Sequence, residues 1–539
     1  MIAMSGGNMS GQEFDYIIVG SGSAGGFVAL RLSENPANRV LVLEAGPTDA
    51  NWTTRIPTGS RYTYSGGPRN WCFETDPEPH VNNRVLFQPR GKVVGGSSSL
   101  NGMVYVRGHK QDFREWVDAG ADGWEYDDVL PHFKAIERYR EGADAWRGGD
   151  GPVAVQKLTD NHSIEDAFIK AGQQAGYAAP TDYNGDAQEG MSAFDANIDN
   201  GWRSVTAREC IQPAMKRPNV TVLTGAHVMR VEIVNGVATG VRYQHKGQEH
   251  VAHAGKEVVL SAGAFQTPQL LMLSGIGPAD HLREHGIEVI AELPGVGENL
   301  QDHLECRLKF TCPHKGMTKN HLMAQHRILL AGIRWYLFKN GPAATTHSRV
   351  GAFFKSSAEA THPDIQFHFW PYFLEAWSPP PEKDGYCFDV GPTKSKSLGY
   401  VRLRSSDPFA APRICLNALS QEKDFEDFRT SIRIARDIAG QHALDFCRGI
   451  EVVPGVDVQT DSQIDDYVRE HANSAYHPAG TAKMGKDAMS VCDPQARVHG
   501  IKGLRIADAS IMPTVTNGNI NAPCMMIGEK VASMMMSQE

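Results

Sequence analysis

One stretch of the chain, residues 15–46, constrains the fold more than any other. Residues 16–19 are apolar and mostly β-branched, so they predict a buried strand. Three glycines follow at once in the G-x-G-x-x-G spacing: Gly20, Gly22 and Gly25. Residues 27–32 then predict a helix, and residues 40–43 predict a second strand that ends at Glu44. The order of strand, glycine loop, helix, strand and acidic residue is typical of a dinucleotide-binding unit.

Each part of this unit has a physical role. Gly20 allows the tight turn after the strand, and Gly22 lets backbone N–H groups approach a pyrophosphate at the helix N-terminus. Gly25 allows the helix and strand to pack closely, while Glu44 accepts a hydrogen bond from a ribose hydroxyl. A purely structural turn is the alternative, but Glu44 lies at the distance from the glycines that a ribose-binding acid requires, which favours the dinucleotide site. The loop alone does not distinguish FAD from a nicotinamide cofactor.

The length of the chain, 539 residues, exceeds what one hydrophobic core usually organises, so two domains are expected. A second strand–glycine–helix unit, residues 257–277, belongs with the nucleotide-binding unit. Alternating segments between residues 306 and 458 instead predict a mainly antiparallel sheet with flanking helices. The expected class is α/β, or α+β over the whole chain. The two predicted domains are a discontinuous Rossmann-like domain of residues 1–160, 205–305 and 461–539, and a second domain of residues 161–204 and 306–460.

The composition limits the classes of partner and compartment. A net charge of −9 argues against nucleic acid as a partner. The nine cysteines include no C-x-x-C pair, and their odd number favours a reducing compartment over a disulfide framework. Residues 1–12 show no secretory signal, and no stretch is long and apolar enough to span a membrane. We therefore expect a cytoplasmic protein, or one held peripherally at the inner membrane, and no metal site.

Three further stretches carry specific hypotheses. Residues 90–108 contain Gly95, Gly96 and three serines before an apolar run, which suits close approach by a phosphate or a planar heterocycle. Trp71 is either a platform for a flat ligand ring or a core residue. Residues 327–338 are amphipathic. They predict either a helix on a membrane surface or, as we favour, a helix that is buried or belongs to the second domain.

The C-terminal part of the chain contains candidate chemistry. His477 begins a loop of small residues, and Asn519 lies just before the terminal helix. Both flank a predicted strand that is closed by Asp508. Imidazole has an unperturbed pKa of about 6.5 and is a natural base at neutral pH. Composition alone does not single out one of 21 histidines as catalytic.

Several long motifs then point to a family. The chain resembles the glucose–methanol–choline (GMC) oxidoreductases, a family of FAD-dependent alcohol oxidases and dehydrogenases. The resemblance covers essentially the whole chain. Both long family signatures are present, and so are four shorter motifs: residues 91–108, 263–277, 123–124, 293–303, 477–478 and 508–513. Choline dehydrogenase and alcohol dehydrogenase members are the most similar, through residues 74–79, 301–305 and 498–500.

The resemblance implies roles for individual residues. His477 matches the family's catalytic base and would take the alcohol proton, while Asn519 would hold the alcohol oxygen. The α-hydrogen would pass to flavin N5. Glu305 and His368 are the expected substrate contacts. The expected FAD contacts are Gly20, Ser21, Gly22, Ser23, Ala24, Gly25, Glu44, Ala45, Trp71, Val94, Gly96, Ser97, Asn101, Gly102, Met103, Val104, Val228, Ala262, Asp508, Ala509 and Asn519.

Two departures from the family pattern affect these expectations. Leu100 stands where some choline oxidases carry a histidine covalently attached to the flavin, so non-covalent FAD is expected. Choline-type members enclose the trimethylammonium group with Trp side chains, but residues 61–64 and 323–326 contain none. Glu305 matches the acid that faces this cation. An ordinary ion pair in the second domain is the alternative for Glu305.

The leading expectation is therefore an FAD-dependent alcohol dehydrogenase. Its substrate would be a choline-like alcohol, another primary alcohol or a polyol. The electron acceptor would be a quinone, a dye-like acceptor or O₂, and an O₂-using oxidase is the nearest alternative. A cyanohydrin lyase that holds FAD without redox use is the alternative from a different class.

Overall fold

The computed structural model describes residues 13–158, 163–374 and 383–538. Residues 1–12, which show no secretory signal in the sequence, lie outside this described part. The strands, numbered in chain order, are β1 (Glu13–Val19), β2 (Val40–Glu44), β3 (Phe73–Glu74), β4 (Phe87–Gln88), β5 (Glu137–Tyr139), β6 (Val153–Lys157), β7 (Gly190–Ala193), β8 (Asp195–Ala196), β9 (Ile198–Asp199), β10 (Trp202–Arg203), β11 (Val220–Thr224), β12 (Ala226–Val234), β13 (Val237–His245), β14 (Gln248–Leu260), β15 (Ile276–Gly277), β16 (Ala291–Glu292), β17 (Leu304–Thr311), β18 (Val350–Phe354), β19 (Ile365–Trp370), β20 (Gly385–Pro392), β21 (Tyr400–Arg402), β22 (Arg413–Cys415), β23 (Glu451–Val453), β24 (Asn473–Ser474) and β25 (Leu504–Ile506).

The helices are numbered in the same way. They are α1 (Ser23–Leu32), α2 (Trp52–Arg55), α3 (Ser60–Thr63), α4 (Lys110–Asp118), α5 (Tyr126–Ile136), α6 (Ser163–Gln174), α7 (Gln212–Ala214), α8 (Gly263–Leu273), α9 (Ala279–Glu284), α10 (Gln325–Phe338), α11 (Glu422–Gly440), α12 (Asp461–His471) and α13 (Asn521–Met536).

The first large sheet contains the strands that the glycine motifs predict. Its strand order is β11–β2–β1–β14–β13–β12, and β25 also pairs with β14. The strands β1, β2, β11, β14 and β25 are parallel, whereas β12 and β13 extend the sheet in antiparallel pairing. The carboxyl ends of the parallel strands meet at one edge of the sheet. In an open parallel sheet, this edge is where ligands bind.

The second large sheet confirms the antiparallel expectation. Its order is β23–β17–β20–β19–β18–β7, with every pair antiparallel. Along β17 the side chains alternate, so Leu304 and Leu308 are buried in the hydrophobic core while Glu305 points to the other face. Phe428 and Ile432 of α11 pack into the same core. The face of β17 that carries Glu305 does not pack into this core, so it is available for a binding site.

The start of helix α1 differs from the prediction. The helix begins at Ser23, four residues earlier than residues 27–32 suggest, and it includes Gly25 and Gly26. Close packing explains why glycines begin this helix despite their low helix propensity. A Cβ on Gly25 would lie 2.1 Å from the carbonyl oxygen of Gly20, and one on Gly26 would lie 2.8 Å from Cβ of Thr206.

The expectation that residues 327–338 form a buried helix is wrong. Helix α10 covers the stretch, but Trp335 is its only buried side chain among the described residues. Leu329, Leu330 and Leu337 are 65%, 62% and 61% exposed. The apolar stripe therefore faces outward and does not contribute to a core. Within the described ranges, no helix is long and apolar enough to cross a membrane.

Candidate active site

A cavity of about 820 Å³ connects the edge of the first sheet to the polar face of the second. Nearly all of the predicted site residues line it: Gly20, Gly22, Ser23, Ala24, Glu44, Ala45, Trp71, Gly96, Ser97, Asn101, Gly102, Met103, Val104, Val228, Ala262, Glu305, His368, His477, Asp508, Ala509 and Asn519. Residues that are distant in sequence thus come together in one elongated site. Its volume is in the range of sites for small molecules and cofactors.

Three predicted cofactor contacts lie behind the wall of this cavity instead. Ser21 is fully buried, and its Oγ donates a hydrogen bond to Oε2 of Glu44 over 2.6 Å. Gly25 packs against the carbonyl oxygen of Gly20 and allows the close helix–strand contact. Val94 belongs to the hydrophobic core. These three residues shape the cavity without lining it.

The end of the cavity near Glu44 fits a dinucleotide. Oε1 of Glu44 accepts a hydrogen bond from the Gly46 backbone over 2.8 Å, and burial raises the pKa of this carboxyl. The backbone is bare where Gly22 faces Gly96, and a Cβ on Gly96 would lie 2.8 Å from the Cα of Gly22. Bare backbone at the start of α1 and a carboxylate at the end of β2 are the features that hold a pyrophosphate and a ribose.

Trp71 lies at the same end of the cavity. It is only half-buried and lines the cavity, so it is a wall residue rather than a core residue. Its ring stacks on Phe73 with centroids 5.7 Å apart, and Nζ of Lys92 lies 4.3 Å from its centroid. These contacts hold the ring in place at the cavity wall.

His477 and Asn519 meet at the other end. Nδ2 of Asn519 lies 3.1 Å from Nε2 of His477, and Nδ1 of His477 lies 3.0 Å from Nδ1 of His303. Desolvation comes first, and the repulsion that a His477 cation would meet from His303, His368 and Arg90 adds to it, so the pKa of His477 is held well below its usual range. The ring is therefore neutral at pH 7, which is the form that can accept a proton.

The loop that carries His477 is held by its backbone. Asp302 Oδ1 accepts a hydrogen bond from the backbone N–H of His477 over 2.7 Å, and Ser474 donates its Oγ–H to the other oxygen of Asp302. Arg90 donates to the carbonyl oxygen of Tyr476 over 2.7 Å. Tyr476 has a φ of +68°, a conformation that is costly for a residue other than glycine. These hydrogen bonds stabilise the strained turn that presents His477.

Glu305 faces the cavity from β17 and has no hydrogen-bond or ion-pair partner in the described part of the chain. Its carboxylate makes no hydrogen bond or ion pair with any described residue, so the ion-pair alternative is not supported. The nearby Arg307 instead binds Asp389 through two hydrogen bonds of 2.5 and 2.6 Å. Burial and then the charge of Asp389 raise the pKa of Glu305 well above its usual range. A cation that enters the cavity would stabilise the ionised form of this carboxyl.

Three aromatic side chains that line the same cavity as Glu305 were not named as site residues from the sequence. Tyr64 and Tyr476 have ring centroids 5.9 Å apart, and Trp370 lines the same cavity. They come from three separate segments, so no local sequence pattern predicts that they share a site. Residues 61–64 contain no Trp, but Tyr64 of that stretch supplies one aromatic face, and Trp370 and Tyr476 supply the others from separate segments.

Two polar residues were also missed, although a signal exists for each. His303 lies two positions before Glu305, and Gln366 lies two positions before His368. Because strand side chains alternate, residues two apart share a face. Nε2 of Gln366 donates to Oδ1 of Asn519 over 3.2 Å. The period-2 pattern in β19 identifies this face once His368 is placed in the site.

Comparisons with known proteins agree with this geometry. Family models described as GMC oxidoreductase match residues 14–305 and 395–528. The oxygen-dependent choline dehydrogenase of Brucella suis is 45% identical over 525 residues, which cover 96% of this chain and 95% of that protein. The corresponding protein of Rhizobium etli is 46% identical over 530 residues, which cover 98% of this chain and 96% of that protein.

Solved structures show the same fold over nearly the full chain. Pyridoxine 4-oxidase from Mesorbium loti has a TM-score of 0.89 and 30% identity, and the match covers 98% of this chain and 100% of that one. A formate oxidase has a TM-score of 0.91 and 27% identity, with 99% of each chain covered. These relatives are named as dehydrogenases or oxidases, which does not favour the cyanohydrin lyase. The chain belongs to the GMC oxidoreductase family and is an FAD-dependent oxidoreductase that acts on CH–OH donors.

Proposed function

We propose that this enzyme oxidises a choline-like primary alcohol to the aldehyde, with His477 as the base and Asn519 orienting the alcohol. The observation that carries the proposal is the His477–Asn519 pair, with Nε2 and Nδ2 3.1 Å apart at the cavity wall. FAD held in this cavity would supply the acceptor for the hydride that leaves the substrate carbon. Glu44 and the bare backbone of Gly22 and Gly96 are the groups that would hold its nucleotide end.

The pair can activate an alcohol in a simple way. An alcohol oxygen placed between the two side chains accepts a hydrogen bond from Nδ2 of Asn519 and gives its proton to Nε2 of His477. The depressed pKa of His477 keeps that nitrogen available at neutral pH. His303 contacts the opposite ring nitrogen and holds the ring in this orientation. Once its oxygen is deprotonated, the alcohol donates the hydride from its α-carbon more readily.

The substrate class follows from the surroundings of Glu305. A carboxylate with no partner among the described residues, in a cavity that is also lined by the aromatic side chains of Tyr64, Tyr476 and Trp370, suits a quaternary ammonium group. His368 of β19 lines the same cavity, interacts with the side chain of Asn519, and is the second proposed substrate contact. The relatives named as choline dehydrogenases support the same class.

The electron acceptor and the mode of FAD binding are proposed as follows. The enzyme passes electrons from its alcohol to an acceptor such as O₂, and the names of the relatives support O₂ over a quinone or a dye. Leu100 lines the cavity and has no group that could form a bond to the flavin, which supports non-covalent FAD. Precipitation of the protein with acid should release all of the flavin into solution. Flavin that stays with the pellet would contradict this.

Helix α10 is proposed to rest on a lipid surface. Its exposed apolar stripe includes Leu329, Ile333 and Leu337, and exposed Arg327 and Arg334 flank it. Apolar side chains next to arginines complement a bilayer with anionic head groups.

Vesicle binding tests this proposal. The holoenzyme should sediment with vesicles that contain phosphatidylglycerol and less with pure phosphatidylcholine. Leu329→Glu should abolish this binding, while Ile450→Glu, at a site 67% exposed and outside α10, should not. Equal binding by both variants, or self-association through α10 in place of vesicle binding, would contradict the proposal.

The role of His477 is tested by anaerobic flavin reduction in a stopped-flow instrument. His477→Ala should lower the rate constant about 10²- to 10⁴-fold, the usual contribution of a general base. His471→Ala is the control, because His471 lines the same cavity but packs on Tyr467. Flavin content should be unchanged in both variants. A His477→Ala enzyme that keeps the wild-type rate would rule out His477 as the base.

A further inference from the structure

Gln366 lies behind the proposed catalytic pair and contacts only one of its members. It is 5% exposed and sits in β19, which is paired with β18 on one side and β20 on the other. Its backbone is opposite Phe353 and Gly391 in these two ladders. Nε2 of Gln366 donates to Oδ1 of Asn519 over 3.2 Å. The donor is therefore built into the centre of a sheet rather than into a flexible loop.

The contact gives the Asn519 amide a direction. A carboxamide has one end that only accepts hydrogen bonds and one end that only donates them. Because Gln366 occupies the accepting end, the donating end of Asn519 is turned toward Nε2 of His477. Nε2 must then be the ring nitrogen without hydrogen. The hydrogen of the neutral ring lies on Nδ1, where it is directed at Nδ1 of His303.

We propose that Gln366 is a positioning residue that fixes the direction of this hydrogen-bond chain and so keeps Nε2 of His477 unprotonated and able to take the alcohol proton. The inference rests on the proposed roles of His477 and Asn519. It adds a residue that touches neither the substrate nor the flavin. In the opposite direction, Oδ1 of Asn519 would face the alcohol, could not donate to its oxygen, and would favour a hydrogen on Nε2.

Two substitutions of Gln366 separate the effect of the hydrogen-bond direction from the effect of the size of the side chain. Gln366→Met keeps the length and the apolar part of the side chain but removes the donor. Gln366→Glu keeps the shape and, when ionised, replaces the donor by an acceptor that attracts Nδ2 of Asn519. The direction of the hydrogen-bond chain that runs from residue 366 through Asn519 to His477 is then reversed. A protonated Glu side chain donates through its O–H and restores the wild-type direction.

The rate constant of anaerobic flavin reduction in the holoenzyme is the readout. Gln366→Met should lower it about 3- to 10-fold, as expected for one lost hydrogen bond. Gln366→Glu should lower it about 100-fold at high pH, because the base is blocked. This variant should regain rate as the pH falls and the new carboxyl is protonated. The wild-type rate should show no such rise on acidification.

A control keeps the test independent of folding. Gln188→Glu puts a carboxyl at another site that is 3% exposed, where the side chain contacts Asn517 rather than Asn519. It should not show the recovery at low pH. If Gln366→Glu fails to bind flavin, Gln366→Met decides the question, since an unchanged rate in that variant overturns the proposal.

The outcomes for the two proposals differ. Wild-type rates in both Gln366 variants, together with a large loss in His477→Ala, overturn the role of Gln366 and leave His477 as the base. A similar loss in both Gln366 variants with the same pH profile shows a structural role only, which also overturns the proposal. A wild-type rate in His477→Ala overturns the proposed function, and the inference with it.

Discussion

Replacement of the Glu305 carboxylate by an amide tests the substrate class. Glu305→Gln keeps the shape of the side chain, and no described residue loses a hydrogen bond or ion pair by the change. Arg307 is already bound by Asp389, so removal of the Glu305 charge does not leave a cation unpaired. The substitution therefore weakens the interaction with a bound cation while it leaves the contacts between the described residues of the protein unchanged.

The size of the effect follows from the electrostatics of a half-buried site. A unit charge about 5 Å from a carboxylate, at an effective dielectric constant of about 20, gains about 3 kcal/mol. One decade in affinity corresponds to about 1.4 kcal/mol. The KM for choline should therefore rise about 100-fold in Glu305→Gln. The rate constant of flavin reduction at saturation should change much less, because the carboxylate holds the cation and not the reacting carbon.

The assay compares choline with its neutral carbon analogue, in which a tert-butyl group replaces the trimethylammonium group. Steady-state KM is measured for both alcohols with wild-type enzyme and with Glu305→Gln. The loss should be confined to choline, and the variant should treat the two alcohols almost equally. An equal loss for both alcohols, or no loss for choline, would refute the assignment of Glu305 as the cation site.

Four further predictions follow from the structure. Gly25→Ala should fold poorly and contain little flavin, measured by flavin content and thermal unfolding, because the new Cβ would lie 2.1 Å from the Gly20 carbonyl oxygen. Asp302→Ala should lower the rate of flavin reduction about tenfold or more with little change in KM, because the His477 backbone loses its acceptor. The KM for choline should rise as the pH falls, because the raised pKa of Glu305 means that its charge is lost at a higher pH than for an ordinary carboxyl. Because the pKa of His477 is depressed, the reduction rate with the neutral analogue should stay constant as the pH falls through 6.5, the usual value for histidine.

The nucleotide end of the fold was predictable because its signals are local. The residue types are set by the local backbone and by the ligand beside it, which is why they can be recognised in Gly20, Gly22, Gly25 and Glu44. The structure places these residues at the edge of a parallel sheet. The alternation of polar and apolar residues in the strands of the second sheet could also be recognised in the sequence. The division into an FAD-binding and a substrate domain at the stated boundaries stays a prediction.

The substrate end was harder to predict because it depends on long-range contacts. Tyr64, Trp370 and Tyr476 are brought together by tertiary packing, which leaves no local spacing in the sequence. Glu305 was named from the family resemblance, but only the structure shows that Arg307 is engaged by Asp389. The expected burial of α10 was wrong for a related reason.

For α10, an amphipathic pattern shows that one face is apolar but does not show what covers it. Core helices and surface helices share the pattern, and the choice depends on whether a neighbouring element supplies an apolar surface. Among the described residues of α10, only Trp335 is buried on such a surface, and Ala331 packs against the edge of the same small cluster. The outcome could not be read from the sequence of the helix.

Anaerobic mixing of the holoenzyme with choline is the most direct test of the central claim. The visible absorbance of the oxidised flavin should bleach rapidly, and betaine aldehyde should form in an amount equal to the flavin. Bleaching by neutral primary alcohols but not by choline would contradict the substrate class. No bleaching by choline or by any primary alcohol would contradict alcohol activation by His477 and Asn519.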